Sequence, residues 1–453
     1  MHTQLCNSLE LENSFFLNYR TSQSLRNVAL CGALKQRLNR DWKIVSIHLA
    51  IPKETNSNEK RVAASPETVK KYVANGANVT VQSGAGQNAA FTDSAYKDAG
   101  ARIAKTFGDT VKDANIVLKV QAPDAEELKD IPKGALLIAM LAPFANKDIL
   151  KACANAGVDT FSMEFVPRIS RAQSMDVLSS QSNLAGYKAV LDAAEHYPHA
   201  MPMMMTAAGT VPPAKVFVMG AGVAGLQAIA TARRLGGIVT ATDVRPAAKE
   251  QVESLGASFV AVEDDEFKQA ETAGGYAKEM SAAYKKKQAE LVEKHIAKQD
   301  IVITTALIPG RPAPKLISED MVKSMKPGSV IVDLAVENGG NCDLSEAGKV
   351  VTKHDVTMVG HINVPGRLAA DASALYAKNL LNIINLMIDA ESKELKIDLE
   401  DEIIQGVYMT RGGKIVHPNF GGKAKAKPKA KEETPKTKKD TSKASGAKKT
   451  TRK

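Results

Sequence analysis

Short apolar runs rich in Val and Ile alternate with mixed segments through most of this chain. The runs Ile44–Ile51, Val79–Gln82, Ile116–Val120, Ala135–Met140 and Val158–Met163 predict strands. Helix-like stretches such as Ser65–Asn75 and Asp93–Ala99 lie between them. A second series follows, at Lys215–Met219, Ile238–Thr242, Ser258–Val262, Asp300–Thr305, Val330–Leu334 and Thr357–Val359. Strands that are apolar throughout, separated by helices, imply parallel sheets covered on both faces. The expected fold class is therefore α/β: two doubly wound parallel-sheet domains with a cleft between them. Arg367–Ile388 is an apolar-periodic stretch without Gly or Pro. It is expected to cross back, so that 43–180 and 365–422 make one domain and 181–364 the other.

The flanks read differently. Residues 1–42 are rich in Ser and Asn, poor in acids, and carry Arg20, Arg26, Arg37 and Arg40. A disordered extension is expected there, with a transit peptide as the alternative; no long apolar core of a secretory signal is present. From Lys423 to Lys453 the chain is a Lys/Ala/Thr/Ser/Pro tail with 13 basic and three acidic residues, expected to be disordered. That tail accounts for the whole net charge of +10. The neutral remainder is no footprint of nucleic-acid binding. No apolar run is long enough to span a bilayer. Cys6, Cys31, Cys153 and Cys342 are scattered, so neither a disulfide framework nor a metal site is expected.

The candidate chemistry centres on Gly220-Ala221-Gly222-Val223-Ala224-Gly225, between the run Lys215–Met219 and a helical stretch, Leu226–Leu235. In such a turn Gly220 permits the bend, Gly222 lets a pyrophosphate approach the backbone, and Gly225 lets helix and strand pack closely. The helix N-terminus presents free N–H groups to the phosphates. The next strand ends at Asp243, placed to accept hydrogen bonds from an adenosine ribose and to repel a 2′-phosphate. Strand, glycines, helix, strand and acid occur in order, which predicts a Rossmann-like site preferring NAD(H) to NADP(H). Arg245 is the competing signal, since an arginine can accept a 2′-phosphate. Thr305, Ala306 and Leu307, at the end of another strand, are expected to line the same crevice, with strand-end packing as the plain alternative.

Residues 167–188 join the two domains and carry Arg168, Arg171, Gln173, Asp176, Ser179 and Gln181. A polar segment between domains is either a ligand wall or a solvated linker. Arg168 and Asp176 are close enough in sequence to pair. Gly274-Gly275-Tyr276 places an aromatic residue on a glycine hinge, as a lid or an exposed turn.

Several stretches together carry a family resemblance: RVAASPE (61–67), PRISRAQSMDVLSSQSNLAGYKAV (167–190), GAGVAGLQAIATARRLG (220–236), ATDVR (241–245), ETAGGYAKEM (271–280), DIVITTALIPG (300–310) and GHINVPGRLAADAS (360–373). Over about residues 44–420 the chain resembles the NAD(H)-binding alpha component of proton-translocating NAD(P) transhydrogenase, in the form whose membrane part is a separate chain. The resemblance implies hydride transfer from NADH, bound here, to NADP+ on a partner beta chain, coupled to proton movement through membrane subunits that include a small alpha-2 chain. It implies a homodimer, peripheral on the cytoplasmic side of an inner membrane, or in the mitochondrial matrix if residues 1–42 are a transit peptide. By motif position, Arg168, Gln173, Asp176, Ser179 and Tyr276 would serve the reacting end of the cofactor. Gly220, Gly222, Val223, Gly225, Asp243, Val244, Arg245, Gly275, Gln288 and Leu307 would hold the rest.

The related alternative is alanine dehydrogenase, complete in one chain. It needs groups that manage protons, and its family uses a Lys and a His on neighbouring first-domain strands. Lys119 stands in the first place, but IAMLAPFAN (138–146) contains no His. An NAD-binding regulatory module without catalysis is the remaining reading.

Overall fold

A computed structural model describes residues 47–268, 280–308, 310–389 and 391–421. The expectations for residues 1–42, for the basic tail, and for Gly275 and Tyr276 fall outside these residues.

The chain first lays down β1 (His48–Ile51), β2 (Asn78–Gln82), β3 (Arg102–Ala104), β4 (Ile116–Gln121), β5 (Leu136–Met140) and β6 (Asp159–Ser162). These are parallel, in the order β6-β5-β4-β1-β2-β3. Alternation of side chains supplies a core on each face. Leu49, Ile51, Ile116, Leu118, Leu136 and Ile138 enter one, and Ala50, Val117, Leu137 and Ala139 the other.

Helix α1 (Val177–His196) leads out of this sheet. A hairpin of β7 (Met204–Thr206) and β8 (Gly209–Val211) precedes the second sheet. That sheet contains β9 (Lys215–Met219), β10 (Ile238–Thr242), β11 (Ser258–Phe259), β12 (Ile301–Thr304), β13 (Val330–Asp333), β14 (Lys349–Lys353) and β15 (Val356–Gly360), with α2 (Val223–Arg234) and α3 (Ala282–Ile296) among its connections. Its order is β11-β10-β9-β12-β13-β15-β14, parallel except for β14. The same alternation feeds two cores, Val216, Val218, Ile301 and Ile303 against Phe217, Met219, Val302 and Ile331.

The chain then returns. Helix α4 (Ala369–Asn385) puts Tyr376, Leu380, Ile383 and Ile384 into the core that holds Leu49 and Ile51. Strand β16 (Tyr408–Arg411) pairs antiparallel with β6, and β17 (Lys414–Ile415) with β16. Thr410 Oγ1 lies 2.8 Å from Thr160 Oγ1, and Tyr408 donates to Asp159 at 3.0 Å.

A buried polar joint ties the two sheets together. Arg61 donates to Glu59 from Nε at 2.8 Å and Nη2 at 2.7 Å, and from Nη1 to Gln181 of α1 at 2.8 Å. Asn363, after β15, donates to the same Glu59 at 3.1 Å, as does Gln121 at 2.8 Å. Burial alone would raise the Glu59 carboxyl, but the hydrogen bonds and charge of Arg61 overcome it and hold it below its ordinary value.

Candidate functional site

The second sheet reverses its winding between β9 and β12. The chain builds outward from β9 through β10 to β11, then returns to lay β12 on the other side of β9. Ligands of open α/β sheets occupy the crevice outside the carboxyl ends of the strands at such a reversal. The Gly220–Gly225 turn lies there, and each glycine meets a different constraint. Gly220 has φ +104°, and a Cβ on it would stand 2.5 Å from Thr305 Oγ1. On Gly225 it would stand 1.8 Å from the Gly220 carbonyl oxygen, whereas on Gly222 it would meet nothing within 4 Å. Gly222 is the N-cap of α2 and offers no side chain to the first-turn N–H groups. Those donors therefore have no side-chain cap, which suits an anion at the positive end of the helix.

The rim of this opening is apolar. Val223, Val244 and Leu307 are 41%, 55% and 51% exposed, and all three stand at carboxyl ends of the sheet. Asp243 follows β10, but its carboxylate is not bare. Oδ2 accepts from Ala221 N–H at 2.7 Å and Arg245 Nη2 at 3.0 Å, and Oδ1 from Arg245 N–H and Nε, both at 2.9 Å. Gln288 of α3 donates to Thr242 at 3.2 Å and accepts from Val262 N–H at 2.9 Å, fixing the loop beyond β10.

After β12, Thr305 donates to the Gly220 carbonyl at 3.1 Å and so joins the two sides of the reversal. The loop that carries Leu307 is stapled by Asn341, which is fully buried. Asn341 accepts from Ala306 N–H at 3.1 Å and donates to the carbonyls of Ala306 at 2.9 Å and Pro314 at 2.8 Å. Asp333 in turn accepts from Asn341 N–H at 2.8 Å, Cys342 N–H at 3.0 Å, Ala335 N–H at 3.0 Å and Thr304 at 3.1 Å. Neither residue stands out in the sequence. The only hint is an acid near the end of an apolar strand, followed by Gly-Gly-Asn.

The interdomain residues gather at the start of α1. Asp176 is its N-cap, accepting from Ser179 N–H at 2.9 Å and Ser179 Oγ at 2.6 Å. Arg168 and Asp176, close enough in sequence to pair, do not pair: Asp176 caps α1, which turns its carboxylate onto the first turn of that helix. Arg168 and Gln173 are exposed, with no side-chain partner among the described residues. Arg171 instead grips Asp401 at 2.7 and 3.0 Å. Farther along α1, Gly186 lies so close to α2 that a Cβ would stand 2.0 Å from the Ala224 carbonyl oxygen. Asp176 is thus about 15 Å up the helix axis from the glycine turn, at 1.5 Å per residue. The structure gathers Gly220, Gly222, Val223, Gly225, Asp243, Val244, Arg245, Gln288 and Leu307 at the carboxyl ends of β9, β10 and β12. Arg168, Gln173, Asp176 and Ser179 form a second group, toward the first domain.

Lys119 is fully buried, with Nζ 2.9 Å from Glu127 and 3.3 Å from Glu54. Desolvation raises the Glu54 carboxyl despite the lysine. No helix among the described residues is long and apolar enough to cross a membrane.

Comparison with known proteins identifies the family. Residues 50–185 match the N-terminal domain of the alanine dehydrogenase/PNT family, and residues 189–418 its C-terminal domain. An NAD(P) transhydrogenase alpha-subunit chain of Rhodospirillum rubrum is 59% identical over 379 residues, 83% of this chain and 99% of that protein. The crystal structure of transhydrogenase from Sinorhizobium meliloti is 55% identical, with a TM-score of 0.75, and covers 82% of this chain and all of that one. Alanine dehydrogenase of Mycobacterium tuberculosis is 33% identical over 65% of this chain and 74% of its own. With two adjoining family domains matched and a transhydrogenase relative covered almost whole, the chain belongs to the alanine dehydrogenase/PNT family of oxidoreductases, among its NAD(P) transhydrogenase alpha subunits.

Proposed function

We propose that this chain binds NAD(H) and passes hydride from NADH to NADP+ on a partner beta subunit, coupled to proton translocation through membrane chains. The observation that carries this reading is the open Gly222 position before the uncapped start of α2, with Asp243 at the end of the next strand. The residues present fit a dinucleotide: donors for the pyrophosphate, an acid for the ribose, and apolar Val223, Val244 and Leu307 to exclude water from the adenosine.

Bound NADH supplies the hydride from its reduced nicotinamide ring. The chain's own residues hold and aim. The first-turn N–H groups of α2 bind the pyrophosphate. Arg168 and Gln173, exposed and uncommitted, reach the nicotinamide end, while Asp176 holds Ser179 at the start of α1. By the family resemblance, Gly275 and Tyr276 would also serve the cofactor. Transfer between two nicotinamides needs alignment and water exclusion rather than a general acid or base. The partners are a small membrane alpha-2 chain, the NADP-binding beta chain and a second copy of this chain. The site of action is the cytoplasmic face of an inner membrane, or the mitochondrial matrix if residues 1–42 direct import.

Alanine dehydrogenase is the second reading, favoured by relatives of lower identity than the transhydrogenase chains. Against it, Lys119 is sealed between Glu54 and Glu127, and segment 138–146 has no His. Calorimetric titration with NADH, run beside an assay with NAD+ and alanine, separates the two. Binding without alanine turnover is expected. Alanine-dependent NADH formation by the chain alone would restore the dehydrogenase.

A further inference from the structure

Asp243 has more partners than a ribose-binding acid needs. A carboxylate offers about four acceptor positions, and protein donors fill them. Two come from backbone, Ala221 N–H on Oδ2 at 2.7 Å and Arg245 N–H on Oδ1 at 2.9 Å. They belong to the turn itself and aim the carboxylate. The other two come from one guanidinium, Nε on Oδ1 at 2.9 Å and Nη2 on Oδ2 at 3.0 Å. The Arg245 side chain is 33% exposed and that of Asp243 7%, so the arginine lies over the acid on its solvent side.

An adenosine ribose brings two adjacent hydroxyl donors. We propose that Arg245 is a latch on Asp243, holding the two acceptor positions that the ribose diol requires. Nucleotide binding is then an exchange, one guanidinium bond for one hydroxyl bond at each oxygen, while both backbone bonds stay in place. This inference rests on the NAD(H) reading above and adds to it a residue that sets specificity. It has two consequences. Each ribose hydroxyl contributes only the difference between two hydrogen bonds to the same carboxylate. The arginine also offsets the acid's charge beside the place of a 2′-phosphate, and a guanidinium matches phosphate geometry well. Arg245 therefore softens a preference for NADH over NADPH that a bare Asp243 would make steep.

The test compares wild type with Arg245→Ala by calorimetric titration of NADH, NADPH, ADP-ribose and ADP-ribose lacking the adenosine 2′-hydroxyl. In wild type, loss of that hydroxyl is expected to weaken binding no more than about threefold. In Arg245→Ala the same loss should weaken it about tenfold or more, the worth of an unopposed hydrogen bond to a charged group. The preference for NADH over NADPH should widen about tenfold. If Arg245→Ala lowers the unfolding temperature, Arg245→Lys keeps the question open to measurement. Lysine retains the charge but not the fork, so its 2′-hydroxyl effect should fall between the other two. An equal 2′-hydroxyl effect in wild type and variants, or a narrowed NADH preference, overturns the latch while NADH binding stands. Absence of NADH binding by wild type overturns the NAD(H) reading, and the latch with it.

Discussion

Three glycines around the nucleotide turn should respond differently to one added methyl group. A Cβ on Gly225 would stand 1.8 Å from the Gly220 carbonyl oxygen, and one on Gly186 would stand 2.0 Å from that of Ala224. Both clashes are with backbone, so no rotamer change relieves them, and the paired elements must separate. Overpacking costs about 1–3 kcal/mol, and contacts this short belong at the upper end. Each glycine is helical, so alanine returns about 0.5–1 kcal/mol of helix preference. A net loss of about 2 kcal/mol should lower Tm by roughly 4–8 °C at this size of domain. Gly222→Ala meets nothing within 4 Å, and its backbone, at φ −77° and ψ −168°, is one that alanine adopts. Its stability should be unchanged, or raised by about 0.4–1 kcal/mol through the unfolded chain. Its nucleotide binding should suffer, because the methyl group enters the space left for the pyrophosphate. Scanning calorimetry with and without NADH reads both effects. At a hundred times Kd, NADH should add about 2.7 kcal/mol to wild type and little to Gly222→Ala. A Gly222→Ala protein that NADH stabilises as it does wild type would refute the placement of the pyrophosphate. A Gly186→Ala protein with wild-type Tm would refute the close approach of α1 and α2.

Three further outcomes are expected. Gln173→Ala should slow hydride transfer more than it weakens NADH binding, because misalignment acts on the barrier; a full rate with poorer binding alone counts against that role. Arg61→Met leaves Glu59 buried without its cation, which should cost about 3–5 kcal/mol in urea unfolding near neutral pH. In wild type the depressed Glu59 stabilises above the ordinary carboxyl value of 4.5 and loses that contribution as pH falls through its folded value. In the variant the sign reverses, and mild acid should recover part of the loss; a pH-independent deficit would contradict this. His295 of α3, lowered by burial and then by Lys298, accepts on Nε2 from Gln299 at 3.1 Å, with Thr240 Oγ1 2.8 Å from the same nitrogen. Its contribution is complete above 6.5 and is lost as pH falls through its lower folded value, so the protection of α3 amides relative to intrinsic exchange at each pH should fall in mild acid. Unchanged protection there would show that His295 does not anchor the helix.

Most of the parallel strands are legible in the sequence because both sheets are covered on both faces, and such strands are apolar throughout. The glycine turn and Asp243 are legible because their spacing is local. What depends on distant pairing is not. Strand β16 joins β6 across some 250 residues, with a Thr–Thr contact and a Tyr–Asp hydrogen bond that leave no local pattern. Strand β3 has only three residues and β14 is mostly exposed, so neither carries an apolar run. Gly186 looks like an ordinary helix-interior glycine until α2 is laid against it. The state of Asp243 is equally hidden, because Arg245 must adopt one side-chain conformation to fill its acceptors. Arg168 and Asp176 look like partners from proximity in sequence, whereas an N-cap has first claim on a short acid at a helix start.

The most direct test of the account is hydride exchange in a reconstituted mixture. The chain is combined with the NADP-binding domain of a transhydrogenase beta subunit, and nicotinamide reduction is followed by stopped-flow absorbance with NADH and an NADP+ analogue of shifted spectrum. No exchange is expected with either protein alone, rapid exchange when they are mixed, and loss of the rapid phase with Gln173→Ala. Exchange that does not depend on this chain, or alanine-dependent NADH formation by this chain alone, would contradict it.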